Sequence, residues 1–99
     1  MIRHIVAWKH SDENSYHQNH TNAVKIKKDL EGLLGVIDGM SAMEVIIDPL
    51  ESSNRDIILT SLFDDVSALE NYQKHPKHKE ISEFIKSVTK DRATMDYIE

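Results

Sequence analysis

The sequence contains no cysteine. Disulfide bonds, thiolate nucleophiles and sites in which cysteine ligates zinc or an iron–sulfur cluster are therefore excluded. Glycine is also scarce, and Gly32, Gly35 and Gly39 complete none of the G-x-S-x-G, G-x-G-x-x-G or Walker A motifs. These missing motifs argue against acyl-enzyme and nucleotide chemistry.

Basic residues are fewer than acidic ones: the chain has 12 Lys and Arg and 17 Asp and Glu, which gives a net charge of -5. Nucleic-acid binding needs clustered cations, so we expect no such partner. The one basic cluster, Lys25, Lys27 and Lys28, has the spacing of the solvated side of a helix. No segment reaches the roughly 18 apolar residues of a membrane span, and residues 1–9 are too interrupted for a signal peptide. We therefore expect a cytoplasmic protein with no membrane partner.

The length of 99 residues predicts a single domain, residues 1–99. A chain this short buries only about 60 to 65 % of the surface that it exposes when unfolded. A partner chain would therefore add to its stability.

Hydrophobic periodicity predicts four strands and three helices. The strands are expected near residues 2–9, 43–47, 56–63 and 93–98, the helices near residues 15–34 and on either side of His75-Pro76. Pro76 cannot continue the first of these two helices but fits the first position of the next. The predicted order is β-α-β-β-α-α-β.

This order predicts an α+β fold of the ferredoxin-like kind, a four-stranded antiparallel sheet with helices on one face. Strands two, three and four place apolar residues on both faces, which would leave a large hydrophobic patch on the uncovered face of a monomer. We therefore expect a homodimer formed through that open sheet face.

Five fragments occur in order along nearly the whole chain: Ile2-Arg3-His4-Ile5-Val6, Phe63 closing strand three, Leu69-Glu70-Asn71-Tyr72, His75-Pro76-Lys77-His78 and Asp96-Tyr97. Together they resemble the stress-responsive A/B barrel (Dabb) family of the dimeric α/β-barrel superfamily. The resemblance implies a dimer whose two sheets form one barrel.

The family includes bacterial members of unknown activity and plant members that resemble polyketide cyclases. In the cyclase-like members, a pocket between sheet and helices is lined by three side chains, which correspond here to His4, Tyr72 and His78. The sequence departs from that pattern because strand three begins Arg55-Asp56-Ile57 without a histidine, and helix one has no tyrosine in its middle. The resemblance therefore implies the acid–base core rather than a substrate-specific lining.

His78 falls near the third position of the last helix, on the same stripe as Ile81 and Ile85. Burial and the positive end of the helix dipole both disfavour its imidazolium form, and a neutral imidazole can act as a general base. The alternative is a structural histidine that caps its own helix.

His4 shares a strand face with Val6 and Trp8 and should point inward with them. Tyr72 can donate a hydrogen bond to a substrate oxygen, although an aromatic residue at helical spacing is often simply core. We predict that His4 and His78 lie on the helix side of the sheet and that Tyr72 borders the same cavity.

Metal and haem sites are weaker hypotheses. The pairs His17/His20 and His75/His78 have helical i, i+3 spacing with Glu13 near the first pair, but no motif supplies a third ligand. His10, His17 and His20 should face water. Trp8 could line a haem pocket like that of other dimeric α/β-barrel proteins, but without an axial-ligand pattern it is expected in the core.

Two functional hypotheses follow. The first is a small-molecule lyase, cyclase or isomerase-like enzyme, free of metal and cofactor, that acts on a small, partly apolar carbonyl compound with His78 as base and with His4 and Tyr72 orienting or polarising the carbonyl. The second is a non-catalytic, stress-responsive dimer that binds a small apolar ligand. An enclosed cavity with both imidazoles free to reach a ligand would favour the enzyme.

Overall fold

A computed structural model describes all 99 residues of the chain. It contains the strands β1 (Ile2–His10), β2 (Met40–Ile46), β3 (Ile57–Phe63) and β4 (Thr89–Ile98), and the helices α1 (Tyr16–Glu31), α2 (Val66–Lys74) and α3 (Pro76–Val88). The order β-α-β-β-α-α-β is the one that the hydrophobic patterns predict.

The four strands form one antiparallel sheet in the order β2-β3-β1-β4. The first strand is therefore central, with β3 and β4 as its two neighbours. Side chains of all three helices join one face of the sheet in a single hydrophobic cluster, which includes Ile26, Leu30, Tyr72, Ile85 and Phe63. None of the helices combines the length and apolar character needed to cross a membrane.

Three predicted boundaries are wrong. Helix α1 ends at Glu31 rather than near residue 34, because the apolar spacing continues through the following turns, where Leu33 and Ile37 are buried without being helical. Strand β2 begins at Met40 rather than near residue 43. Strand β4 begins at Thr89 rather than near residue 93, because its first residues are polar and give no apolar strand signal.

Strand four places apolar residues on both faces, as expected, but on the helix side Ile98 is its one apolar residue. Thr94 and Asp96 pair with Val6 and His4 of β1, so they lie on the helix side of the sheet. Polar side chains are tolerated there because β4 is an edge strand and almost all of its residues are exposed in the isolated chain.

The opposite side of the sheet, here called the open face, carries apolar side chains from all four strands. Alternation along the paired strands places there Ile5, Ala7, Ile46, Ile58, Leu62, Ala93, Met95 and Tyr97. No helix covers them, and Met95 and Tyr97 remain 51% and 49% exposed.

A glycine fixes the junction between sheet and helices where β2 begins. Gly39 has φ +82, in the left-handed region, and a Cβ at this position would lie 2.5 Å from the Cβ of Ala68 in α2. Only glycine meets both conditions without strain. The close approach sets α2, which carries Tyr72, against the end of the sheet.

The corner between α2 and α3 is a single residue. His75 has extended backbone angles, ends α2, and accepts a hydrogen bond at Nδ1 from the backbone N–H of Lys77, while Pro76 occupies the first turn of α3. Proline suits this position because its missing N–H would have no helical partner there. The corner holds Tyr72 and His78 close together on either side of it.

Candidate functional site

His4 is held in the middle of the sheet. It lies on central strand β1, its side chain points to the helix side with Val6, and only 2% of the residue is exposed. Imidazole Nδ1 is hydrogen bonded to carboxylate Oδ1 of Asp96, the residue directly opposite in β4. The carboxylate can only accept, so Nδ1 carries a proton and the ring orientation is fixed.

Tyr72 and His78 reach the same place from the helices. Their ring centroids are 4.2 Å apart, and those of Tyr72 and His4 are 6.1 Å apart in an edge-to-face arrangement. Tyr72 also packs on Phe63, with centroids 5.1 Å apart. The structure therefore brings together the three side chains that the sequence singles out, with His4 and His78 on the helix side of the sheet.

Hydrogen bonding leaves one reactive atom free on each of the three rings. His78 Nδ1 lies 3.3 Å from the carbonyl oxygen of Gln73, which can only accept, so Nδ1 is the protonated nitrogen and Nε2 bears the lone pair. Nε2 of His78, Nε2 of His4 and the hydroxyl of Tyr72 have no protein partner, yet none of them is sealed from solvent. All three atoms are available to a ligand.

Burial shifts the titration of His78 and Tyr72 in opposite directions. Burial is the largest influence that lowers the pKa of His78, reinforced by electrostatic interactions with His4, Arg92 and His75 and opposed by the Gln73 carbonyl. Burial likewise raises the pKa of Tyr72 far above its ordinary value. At neutral pH His78 is therefore a neutral proton acceptor and Tyr72 a neutral hydrogen-bond donor.

These groups border a cavity of about 60 Å³ between β1, the helices and β4. Its apolar wall consists of Val6, Trp8, Leu30, Leu59 and Ile85, and its polar lining of the three side chains described above together with Ser82, Lys86 and Arg92. The lining can hold a small molecule that is apolar on one side and carries a carbonyl oxygen on the other.

Two parts of this site are missed by sequence reasoning. Asp96 is noticed only as part of a family-like fragment, and its role depends on the pairing of β1 with β4, which local periodicity does not reveal. Arg92 falls outside the predicted strand altogether. The one available signal is that Asp96 and Thr94 share one face of strand four, whose opposite face is apolar.

The remaining histidines lie elsewhere. His17 and His20 are exposed on α1, whereas His10 is partly buried at the end of β1, where its backbone N–H donates to Asp56. The prediction that these histidines face water is confirmed for His17 and His20, and His10 is only partly exposed. No group of three or more His, Cys, Asp or Glu side chains lies close enough together to hold a metal ion. Trp8 is 6% exposed and forms part of the apolar wall.

The architecture defines a class: a four-stranded antiparallel sheet with helices on one face is the ferredoxin-like α+β fold. Residues 2–99 match the family model described as the stress responsive A/B barrel domain. The chain belongs to this family. No curated protein matches the sequence.

Solved structures share the fold closely. A dimeric protein of unknown function with a ferredoxin-like fold from Bacteroides fragilis has a TM-score of 0.89 and 25% identity, covering 97% of this chain and 93% of that one. A dimeric ferredoxin-like protein from Thermobifida fusca has a TM-score of 0.81 and 20% identity, covering 99% and 90%. Hydroxynitrile lyase from Passiflora edulis has a TM-score of 0.75 and 16% identity, covering 99% and 92%.

Proposed function

We propose that this protein is an acid–base enzyme that moves a proton on a small, partly apolar carbonyl compound, using side chains alone. The observation that carries the proposal is the free Nε2 of His78, on a ring kept neutral by burial and placed 4.2 Å, centroid to centroid, from the ring of Tyr72. A base and a hydrogen-bond donor that face one cavity are the minimum for enolisation.

In the proposed step, His78 Nε2 removes a proton from the carbon next to the carbonyl. The electron pair of the broken C–H bond moves to the carbonyl oxygen, where the Tyr72 hydroxyl stabilises the enolate by hydrogen bonding. Return of the proton from His78 to a different carbon completes an isomerisation. In a cyclisation the enolate carbon attacks a second carbonyl, the new C–C bond forms as the C=O π bond breaks, and His78 returns its proton to the resulting alkoxide. His4, oriented by Asp96, accepts a hydrogen bond at Nε2 from a hydroxyl or enol group of the substrate on the sheet side.

We further propose that the functional unit is a homodimer in which two open faces pack together and the two sheets form a barrel. The apolar side chains that all four strands place there, together with the dimeric state of the Bacteroides and Thermobifida proteins, support this arrangement. Face-to-face packing would remove the patch from water and stabilise so small a chain.

That a hydroxynitrile lyase shares the fold is consistent with a lyase-like activity.

The second candidate is a non-catalytic, stress-responsive dimer that binds a small apolar ligand. Its support is the cavity itself, whose wall is largely apolar and whose volume of about 60 Å³ leaves little room beside the three polar rings. In this reading the histidines and Tyr72 only orient the ligand.

The experiment starts with thermal-shift screening of β-dicarbonyl and aromatic carbonyl compounds, because a ligand of the folded state raises the melting temperature. For the compounds that stabilise the protein, exchange of α-protons for deuterium is then followed by proton NMR. We expect wild type to accelerate exchange and His78→Ala to lose roughly 10²- to 10⁴-fold of that rate.

His17→Ala, which removes an exposed histidine from α1, is the matched control and should exchange like wild type. Binding without any acceleration of exchange would contradict the enzyme and favour the ligand-binding protein. Equal exchange by wild type and His78→Ala would show that His78 is not the base.

A further inference from the structure

The cavity is positively charged in a negatively charged protein. The chain has a net charge of -5, yet the only formally charged side chains that line the cavity are Arg92 and Lys86, and no carboxylate lines it. Asp96 touches His4 from the edge strand but does not reach the cavity lining. Because acidic residues outnumber basic ones in the chain, a cavity lined at random would carry more carboxylates than cations.

Arg92 is also free of protein partners. Two other basic residues of the sheet are paired, Lys90 with Asp12 at 2.5 Å and Arg3 with Glu99 at 2.7 Å. The guanidinium of Arg92 forms neither an ion pair nor a hydrogen bond with any protein group, and Lys86 likewise has no ion-pair partner. Two unpaired cations at one cavity leave their charge available to a ligand.

A distortion of β4 positions Arg92. Ala93 pairs with Ala7 but Lys90 pairs with Lys9, so Asp91 and Arg92 together stand opposite Trp8 in a β-bulge. Asp91 adopts φ 52, a left-handed conformation that is uncommon outside glycine, and its carbonyl accepts a hydrogen bond of 2.9 Å from Arg55 Nε. Bulges of this kind re-aim side chains beside binding sites. Here the re-aimed side chain is Arg92, on the helix side of the sheet.

The positive charge of Arg92 affects the pKa values of Tyr72 and His78. Burial dominates the rise in the pKa of Tyr72, and Arg92 opposes it; burial also dominates the fall in the pKa of His78, and Arg92 adds to it. Arg92, Tyr72 and His78 line the same cavity, so a group bound to Arg92 would lie beside the proposed base and hydrogen-bond donor.

We propose that the substrate carries a carboxylate, bound by the Arg92 guanidinium at the mouth of the cavity with Lys86 beside it. This inference rests on the proposed function and names its substrate class, a short keto acid. The guanidinium binds a carboxylate through two parallel N–H···O bonds, which fixes orientation as well as position. A cavity of about 60 Å³ admits the carbonyl end of such a molecule, while the acid end extends to Arg92.

The test compares levulinate, a stable keto acid, with its methyl ester, which has the same carbonyl end but no charge. Dissociation constants are measured by NMR titration of the full-length protein. A charge-assisted contact is worth about 10- to 150-fold in affinity, so we expect the acid to bind to wild type at least about 10-fold more tightly than the ester.

Arg92→Gln should abolish this preference, and Arg92→Lys should keep part of it because charge remains but the bidentate geometry is lost. Lys28→Gln is the matched control, because it removes the same charge from an exposed site outside the cavity and should leave the preference intact. If Arg92→Gln does not fold, the proposal is tested by the acid preference of wild type and by its partial loss in Arg92→Lys.

The proposal is overturned if the ester binds to wild type as tightly as the acid, if levulinate does not bind, or if folded Arg92→Gln keeps the preference. Failure of the proposed function has a different signature, because levulinate would then bind with the full acid preference while its α-protons exchange no faster than in buffer.

Discussion

His4 on β1 and Asp96 on β4 are directly opposite each other in the sheet, and their side chains are hydrogen bonded through Nδ1 and Oδ1. The histidine is buried, whereas the carboxylate is 40% exposed at the edge strand. An exposed acid thus holds a buried imidazole in one orientation. His4 presents Nε2 to the cavity only while this pairing lasts.

Removing the carboxylate should destabilise the protein. In Asp96→Ala the Nδ1–H of His4 loses its acceptor, and because water can partly replace it at the strand edge, we expect the free energy of unfolding to fall by about 1 kcal/mol, at the low end for a buried polar group. Thr94→Ala, on the same strand face, should cost less than about 0.5 kcal/mol. Urea denaturation measures both, and equal losses would show that Asp96 does not hold His4.

The pH dependence of stability should report His78. Its pKa in the folded protein is below the ordinary value of 6.5, mainly because of burial, so the unfolded chain binds the proton more readily. The resulting stabilisation is complete above pH 6.5 and is lost as the pH falls through the folded pKa. Between about pH 7 and about pH 5, wild type should lose stability more steeply than His78→Gln. Exposed His20→Gln should follow wild type, and parallel curves for wild type and His78→Gln would refute the assignment.

The junction at Gly39 can be tested against a second glycine. Gly35 and Gly39 both have positive φ, but a Cβ at Gly35 meets nothing within 4 Å, whereas at Gly39 it meets the Cβ of Ala68 at 2.5 Å. Gly35→Ala should therefore cost only the backbone strain, about 1 to 2 kcal/mol. Gly39→Ala should cost about 1 to 3 kcal/mol more because of overpacking. Thermal denaturation of the two variants gives the difference, and equal costs would mean that α2 is free to move away.

The open face should control self-association. Met95→Lys places a charge on the proposed interface and should give a monomer in sedimentation at micromolar concentration, where we expect wild type to be a dimer. Val24→Lys is the matched control, because Val24 is 45% exposed on α1 and Met95 is 51% exposed on the sheet. Loss of the dimer in both variants, or in neither, would rule out the open face as the interface.

Most of the fold could be predicted because its signals are local. Alternation identifies β1, the polar residues before α1 include its cap Ser15, and His75-Pro76 divides the last two helices. The same local signals place His4, Tyr72 and His78 on faces that meet. The catalytic roles of these three residues stay predictions.

What could not be predicted depends on strand pairing. The partnership of His4 with Asp96 and the bulge that carries Arg92 both arise from the register of β1 against β4, which no short stretch of sequence encodes. The first residues of β4 are polar because an edge strand needs no apolar pattern, so sequence patterns predict a start for β4 four residues beyond the observed Thr89. The misplaced start of β4 and the missed roles of Asp96 and Arg92 therefore have the same cause.

The histidine–aspartate bond joins residues 92 positions apart, whereas Tyr72 and His78 are only six apart across a single corner residue. The helical half of the site can form early in folding from neighbouring residues, but the sheet half waits for the last strand to dock in the sheet. A nascent chain would thus bring His78 and Tyr72 together before it could orient His4. Loss of β4 by proteolysis would return the site to that unfinished state, so an intact β4 becomes a condition for a complete site.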